Sequence, residues 1–204
     1  LKEIIDNSID EFVMGFGKSI DISIIDGTVR VRDYGRGIPL GSLKDCVGQM
    51  NTGGKYDSKV FKKSVGLNGV GTKAVNAMSS FFKAQSYRDG KTKYVEYSKG
   101  NVLTESEIID CDEKNGTEMI FTPDKELFGN YHYITEYVEE MIWNYAFLNS
   151  GLALYLNGQK FQAKNGLYDL LLRKIGKEET CAYPVIHIKE GDFECAFTHS
   201  NLTS

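Results

Sequence analysis

The chain is 204 residues long, 41% apolar and 25% charged, with 21 glycines and 3 prolines. These proportions exclude a disordered, collagenous or disulfide-dense chain and suit a soluble fold of one large domain, or one domain with part of a second. A formal charge of −4 argues against a surface that itself grips a nucleic-acid backbone, and no apolar run is long enough to span a bilayer.

The chain opens at Leu1 within a helical pattern and is read as a piece of something longer. Residues 1–16 predict a helix, because Leu1, Ile5, Ile9, Phe12 and Phe16 recur as an apolar stripe. Ile20, Ile22 and Ile24 then alternate with polar residues up to Asp26-Gly27, a hairpin signal, and Val29 and Val31 alternate on the return. A glycine-rich loop follows at Tyr34–Pro39, then a short helix from Ser42 to about Met50. Residues 51–71 hold Gly53, Gly54, Gly66, Gly69 and Gly71 with basic residues between them, and Thr72–Ser80 reads as a helix.

Strands are predicted near 81–87, 92–98, 102–108 and 117–122, with Asp89-Gly90 as a hairpin turn. A helix over 134–147, a hairpin at Asn157-Gly158, a helix over 167–175 and strands near 182–188 and 193–198 complete the order. This is an α+β pattern, a mostly antiparallel sheet covered by helices on one face. Cys46, Cys111, Cys181 and Cys195 form no C-x-x-C pair and do not group with His132, His187 and His199 at zinc spacing. A reduced, cytoplasmic protein without a structural metal is expected.

Three features bear on chemistry. Glu3, Asp6, Asn7 and Asp10 follow i, i+3, i+4, i+7 and share one helix face. That face is either a solvated acidic surface or the wall of a site, where a carboxylate one turn from an amide orients a water and offers oxygen to a hard cation. Asp33 continues the parity of Val29 and Val31, so an extended strand points it to the apolar side, where a carboxylate needs a partner. It either caps the following turn or accepts a ligand N–H such as an adenine amine, with Gly35 and Gly37 allowing close approach of a flat ligand. Gly66-Leu67-Asn68-Gly69-Val70-Gly71 runs into a helix and suits phosphate. It is neither a Walker A loop nor a Rossmann fingerprint, because no Gly-Lys-Ser/Thr closes it and the context is not βαβ. Lys59, Lys62 and Lys63 read as loop solubility, and Lys55 as a candidate phosphate contact.

Taken together, the motifs Glu3–Glu11, Asp33-Tyr34-Gly35-Arg36-Gly37-Ile38-Pro39, Asn51-Thr52-Gly53-Gly54-Lys55-Tyr56, Gly66–Gly71 and Asn115-Gly116-Thr117 resemble one family. It is the ATPase domain of the B-type subunits of bacterial type IIA topoisomerases, within the GHKL superfamily. Phe147–Gly151 is similar to a further stretch of that domain. The likeness covers residues 1–160 well and the rest more loosely. Histidine kinases, heat-shock chaperone ATPases and mismatch-repair MutL proteins share the Asn and Asp-x-Gly-x-Gly motifs without Thr-Gly-Gly-Lys-Tyr. Asn68 stands where the family usually has His, and the segment from Pro39 to Lys55 is short, which leaves gyrase and topoisomerase IV both open.

The resemblance implies a Bergerat α/β sandwich over residues 1 to about 190, with 191–204 its end or the start of a transducer domain. It implies Glu3 as general base and Asn7 as ligand of the Mg2+ that bridges the phosphates of ATP. Asp33 would accept from adenine N6, helped by a water shared with Gly37 and Thr117, and Ile38, Pro39, Val47 and Met119 would wall the purine. Gly53, Lys55, Leu67, Asn68, Gly69, Val70 and Gly71 would form the lid and hold phosphate. Arg36 and Arg88 would flank the pocket mouth, with pairing of Arg36 to Glu11 as the structural alternative. The implied partners are an A-type topoisomerase subunit in a heterotetramer, DNA through the full enzyme, and a second full subunit through ATP-induced dimerisation; no membrane is implied. The family's N-terminal arm and transducer lysine look absent, so weak hydrolysis by this chain alone is expected. A nucleotide-sensing module of chaperone or MutL type is the alternative.

Overall fold

In the computed structural model, residues 1–48, 70–176 and 181–200 are described. In chain order the elements are α1 (Lys2–Val13), β1 (Ser19–Ile25), β2 (Thr28–Asp33), a 3-10 turn (Leu40–Ser42), α2 (Leu43–Val47), α3 (Gly71–Ala77), β3 (Ser79–Arg88), β4 (Lys91–Ser98), β5 (Asn101–Glu105), β6 (Ile109–Asp110), β7 (Gly116–Pro123), α4 (Lys125–Phe128), α5 (Thr135–Leu148), β8 (Ala153–Leu156), β9 (Gln159–Phe161), α6 (Leu167–Ile175), β10 (Ile186–Glu190) and β11 (Phe193–Phe197). They form two compact units: Leu1–Ile134 with Tyr155–Gln159, and Thr135–Leu154 with Lys160–Ser204.

The first unit is built on a sheet ordered β5-β4-β3-β7-β2-β1, with β6 beside β4. The β1–β2, β2–β7, β3–β7, β3–β4 and β4–β5 pairs are all antiparallel. Tyr155–Gln159 meets the β1 side of this sheet, where the Asn157 N–H donates to Ile22 O and its Oδ1 accepts from the Ile24 N–H. Asp26-Gly27, Asp89-Gly90 and Asn157-Gly158 all have positive φ at both residues, the twist that tight hairpins need. Lys99-Gly100 does the same without an Asn or Asp to announce it.

The register places residues of like parity in rows across one sheet face. Tyr97, Phe82, Phe121 and Val29 make one row, and Val95, Ala84, Met119, Val31 and Ile22 the next. All of these are buried, and Ile4, Ile5 and Ile9 of α1 with Leu43 and Val47 of α2 join them in the core. The third row on this face turns polar: Ser86 stands opposite Thr117, with Asp33 at the end of β2. Apolar rows bury area that stabilises the fold at about 25 cal/mol per Å2, whereas the polar row holds hydrogen-bonding groups at the margin of the core.

The second unit packs α5 through Val138, Ile142, Ala146 and Phe147. Trp143 stacks on Phe147 at 5.4 Å, meets Phe161 edge-on at 5.2 Å and carries the Arg173 guanidinium over its ring at 4.7 Å. β10 and β11 pair antiparallel, and Glu194 of β11 accepts from the Leu167 N–H at the start of α6.

Several elements differ from the sequence reading. α1 ends at Val13, and Phe16 lies beyond it, 42% exposed, with its ring under the Arg36 guanidinium at 4.4 Å. The helix expected over Thr72–Ser80 stops at Ala77, because Ser79 already pairs with Pro123 in the sheet. The strand expected near 182–188 begins at Ile186. α4 and β6 are additional elements, too short to carry a periodic signal. The end of the expected helix toward Met50 lies outside the described residues.

Candidate functional site

The Asp33 carboxylate sits at the polar end of the sheet face, 6% exposed. Its Oδ1 accepts from the Gly35 N–H at 2.9 Å and the Thr117 N–H at 3.2 Å, while the Ser8 hydroxyl approaches Oδ2 at 3.4 Å. Asp33 therefore both caps its own turn and stays buried beside a second strand. Oδ2 keeps acceptor capacity that this single long contact leaves largely unused. Burial pushes its pKa up to about 6, against the N–H donors of Gly35 and Thr117 and the positive charge of Arg32.

The glycines of Asp33–Gly37 have steric reasons. A Cβ on Gly35 would run into the Glu11 side chain at 2.7 Å. Gly37 has φ +76°, and a Cβ there would lie 2.5 Å from Tyr87 O and 3.0 Å from Gly116 O. The turn is thereby pressed against α1 on one side and the ends of β3 and β7 on the other. Ser86 Oγ donates to Ile38 O at 2.6 Å, and Arg88 Nη1 to Gly37 O at 2.9 Å.

Arg36 is engaged by Glu11. Glu11 Oε2 accepts from the Arg36 backbone N–H and Nε, and Oε1 from Nη2 at 2.8 Å. Burial opposes ionisation of Glu11, but the hydrogen bonds from Arg36 outweigh it and hold the carboxyl below the usual range. The structural pairing anticipated for Arg36 is thus present, and Arg88 is tied to the backbone of the same turn.

α1 supplies the other end of the site. Glu3 and Asn7 are exposed one turn apart, about 6 Å along the axis at 1.5 Å per residue. Asn7 Nδ2 donates to Thr72 Oγ1 at 2.8 Å. Gly71 lies so close to Glu3 that a Cβ would collide with Glu3 Oε2. The face expected to carry four open polar residues is open only in its first half: Asp10 is 7% exposed, so it belongs to the interior. Val70 is 50% exposed beside these groups. Gly53, Lys55, Leu67, Asn68 and Gly69, with the remaining basic residues of that stretch, lie outside the described residues.

Of the expected purine wall, Val47 and Met119 are buried, Ile38 is half-buried and Pro39 is exposed. Thr117 contributes its backbone N–H to Asp33. Sequence reasoning missed Ser8, Thr72, Ser86 and Asn76. Asn76 is fully buried and its Nδ2 donates to Val47 O at 2.8 Å, joining α3 to α2. A polar residue on the apolar stripe of a predicted helix was the only available signal for Ser8 and Asn76.

The family profile described as histidine kinase-, DNA gyrase B- and HSP90-like ATPase matches residues 1–127. The chain belongs to this ATPase family. Among members, the B-type subunit of DNA topoisomerase 4 from Borreliella burgdorferi is 47% identical over 201 residues, 98% of this chain and 33% of that protein. The chain thus spans about a third of the length of that curated relative. The 43K ATPase domain of Thermus thermophilus gyrase B, solved with an aminocoumarin, superimposes with a TM-score of 0.74 at 28% identity, covering 98% of this chain and 56% of that one. The topoisomerase IV ATP-binding domain of Francisella tularensis, solved with a small-molecule inhibitor, gives 0.71 at 27% identity, covering 94% and 55%. The α+β fold with helices over an antiparallel sheet is that of these ATPase domains, and ATP binding is the property the family shares.

Proposed function

We propose that this chain is the ATP-binding and hydrolysing domain of a bacterial type IIA topoisomerase B-type subunit, over about residues 1–190. One observation carries the reading: neighbouring residues of α1 reach both ends of one site. Ser8 touches the buried Asp33 carboxylate, while Asn7, held by Thr72, lies one turn from Glu3. A rigid helix thereby spaces a purine acceptor from a phosphate-side carboxylate and amide.

In this reading Asp33 Oδ2 accepts the adenine amine. Ile38, Pro39, Val47 and Met119 bound the ring, with Gly37 and Thr117 completing its polar edge. Glu3 orients and deprotonates the attacking water, and its carboxylate rests against Gly71, where a Cβ would meet Oε2. Asn7 offers its Oδ1 to Mg2+ because Nδ2 is already committed to Thr72. No group of three or more His, Cys, Asp or Glu suited to a metal occurs among the described residues. Mg2+ takes one or two protein oxygens with phosphates and waters, and Asn7 Oδ1 would be one of those protein oxygens. When bound, Mg2+ neutralises charge that develops on the phosphoryl oxygens. By the resemblance of their motifs, Gly53, Lys55 and Leu67–Gly71 are assigned to the phosphates. In the longer protein this turnover drives DNA strand passage together with an A-type subunit.

The test is a pair of variants. Asp33→Asn removes the anionic acceptor and is expected to weaken ATP binding at least tenfold. Glu3→Gln is expected to keep binding and abolish hydrolysis in a chain long enough to turn over. Retained affinity in Asp33→Asn overturns the adenine assignment. Unchanged hydrolysis in Glu3→Gln removes the base and leaves a nucleotide-sensing module.

A further inference from the structure

Arg32 is buried on the sheet face opposite Asp33, only 3% exposed. Its guanidinium carbon lies 4.2 Å from the centre of the Tyr87 ring and 4.8 Å from that of Tyr34. Nη1 donates to Asp33 O at 2.6 Å and Nη2 to Lys114 O at 2.6 Å. One planar cation therefore joins the backbone at the end of β2 to the segment that leads into β7. These are the two strands whose ends meet at the Asp33 carboxylate, because the Thr117 N–H donates to Oδ1 three residues beyond Lys114.

Gly116 completes the arrangement. Its φ is +141°, and a Cβ there would collide with Asp33 O and with Arg32 Nη1. The glycine of Asn115-Gly116-Thr117 is thus required by the guanidinium and the carbonyl it holds. A buried arginine costs desolvation, which is offset only by good geometry. Here the geometry is spent on two carbonyls beside the ligand acceptor and not on a carboxylate partner.

We infer that Arg32 is a positioning residue for nucleotide recognition: it clamps the β2 and β7 backbones so that the Asp33 carboxylate is held, through Thr117, in the orientation that accepts adenine. The inference rests on the adenine assignment of Asp33. The Asp33 carboxylate is met by the Gly35 and Thr117 N–H groups and the Ser8 hydroxyl, and the Arg32 cation and the Glu11 carboxylate of α1 act on it through charge. The cation favours the ionised form, so its loss moves Asp33 further toward protonation.

Arg32→Lys keeps the charge but loses the fork and the planar stacking, and Arg32→Met loses both. In the 204-residue chain, ATP affinity is measured from pH 5 to 8, alongside hydrogen exchange of the Thr117 amide. Arg32→Lys is expected to bind ATP at least fivefold more weakly, with faster Thr117 exchange and an unchanged pH midpoint. Arg32→Met is expected to lose more affinity and to shift the midpoint upward, which fold destabilisation alone would not do. Should Arg32→Met fail to fold, Arg32→Lys decides. Wild-type affinity and wild-type Thr117 exchange in Arg32→Lys would overturn the clamp. Asp33→Asn, run in parallel, separates the two readings: if it too retains affinity, the adenine assignment has failed and not merely the role of Arg32.

Discussion

Asn7 donates from its side-chain amide to the Thr72 hydroxyl at 2.8 Å, across 65 residues of sequence. The contact fixes which end of the amide faces outward. Thr72 itself is 8% exposed, so its hydroxyl is held by its surroundings and not by solvent. Thr72→Val keeps the shape and removes the acceptor. Loss of a hydrogen bond of about 1 kcal/mol corresponds to roughly a fivefold effect. Hydrolysis is expected to fall by that order with a raised Mg2+ requirement, while metal-free nucleotide binding is retained. An unchanged Mg2+ dependence in steady-state turnover would show that Thr72 does not orient Asn7.

Gly71→Ala places a methyl group where the Glu3 carboxylate now rests. Gly71 is the first residue of α3, and the atom its Cβ would meet is the end of a flexible side chain. The variant is therefore expected to fold but to displace Glu3, lowering turnover about a hundredfold, the low end of a general base's contribution. Full activity of Gly71→Ala would mean that Glu3 has a second workable position.

Asp33 links activity to pH. Its folded-state pKa is raised to about 6 from 3.8. Stability from this group is fully present below 3.8 and is lost as pH rises through 6, because deprotonation leaves a buried charge. Asp33→Asn is therefore expected to be more stable than the parent at pH 7, by up to about 3 kcal/mol, and equal to it near pH 3.5. ATP affinity has the opposite sense, since the carboxylate must be ionised to accept, and falls as pH drops below 6. Thermal unfolding over pH 3–8 and binding isotherms over pH 4–8 check both slopes.

The Glu11–Arg36 pair holds the turn that follows β2. The Glu11 carboxyl is held below its usual range, so its contribution is present above the unfolded pKa and lost as pH falls through the folded value. Both side chains are partly exposed, which limits the pair to about 1 kcal/mol. Glu11→Gln is expected to lower stability by that amount near neutral pH, with the difference vanishing in acid. A difference that persists at low pH would show that Glu11 acts mainly by packing against Gly35.

Much of the fold was legible because it follows local rules. The alternation of Ile20, Ile22, Val29 and Val31 with Asp26-Gly27 between them specifies a hairpin wherever it occurs. The run Leu167–Ile175 has a single amphipathic reading, and its bounds agree with the observed helix. Asp33 was legible as an anomaly, a carboxylate on an apolar face. Short elements were not, since two residues at Ile109–Asp110 carry no period.

Local rules were enough for the order of the elements, the family the motifs resemble, and the residue types of the site: a carboxylate and an amide one turn apart, an inward Asp, and glycines where backbone must come close. The tertiary structure alone decided the partners. That Arg32 would be buried between Tyr34 and Tyr87, that Asp10 would be interior while Glu3 stays open, and that the Glu3 carboxylate would rest against Gly71 all depend on distant segments meeting. Periodicity reports which way a side chain points from its own strand or helix. It holds no information about what the rest of the chain places opposite.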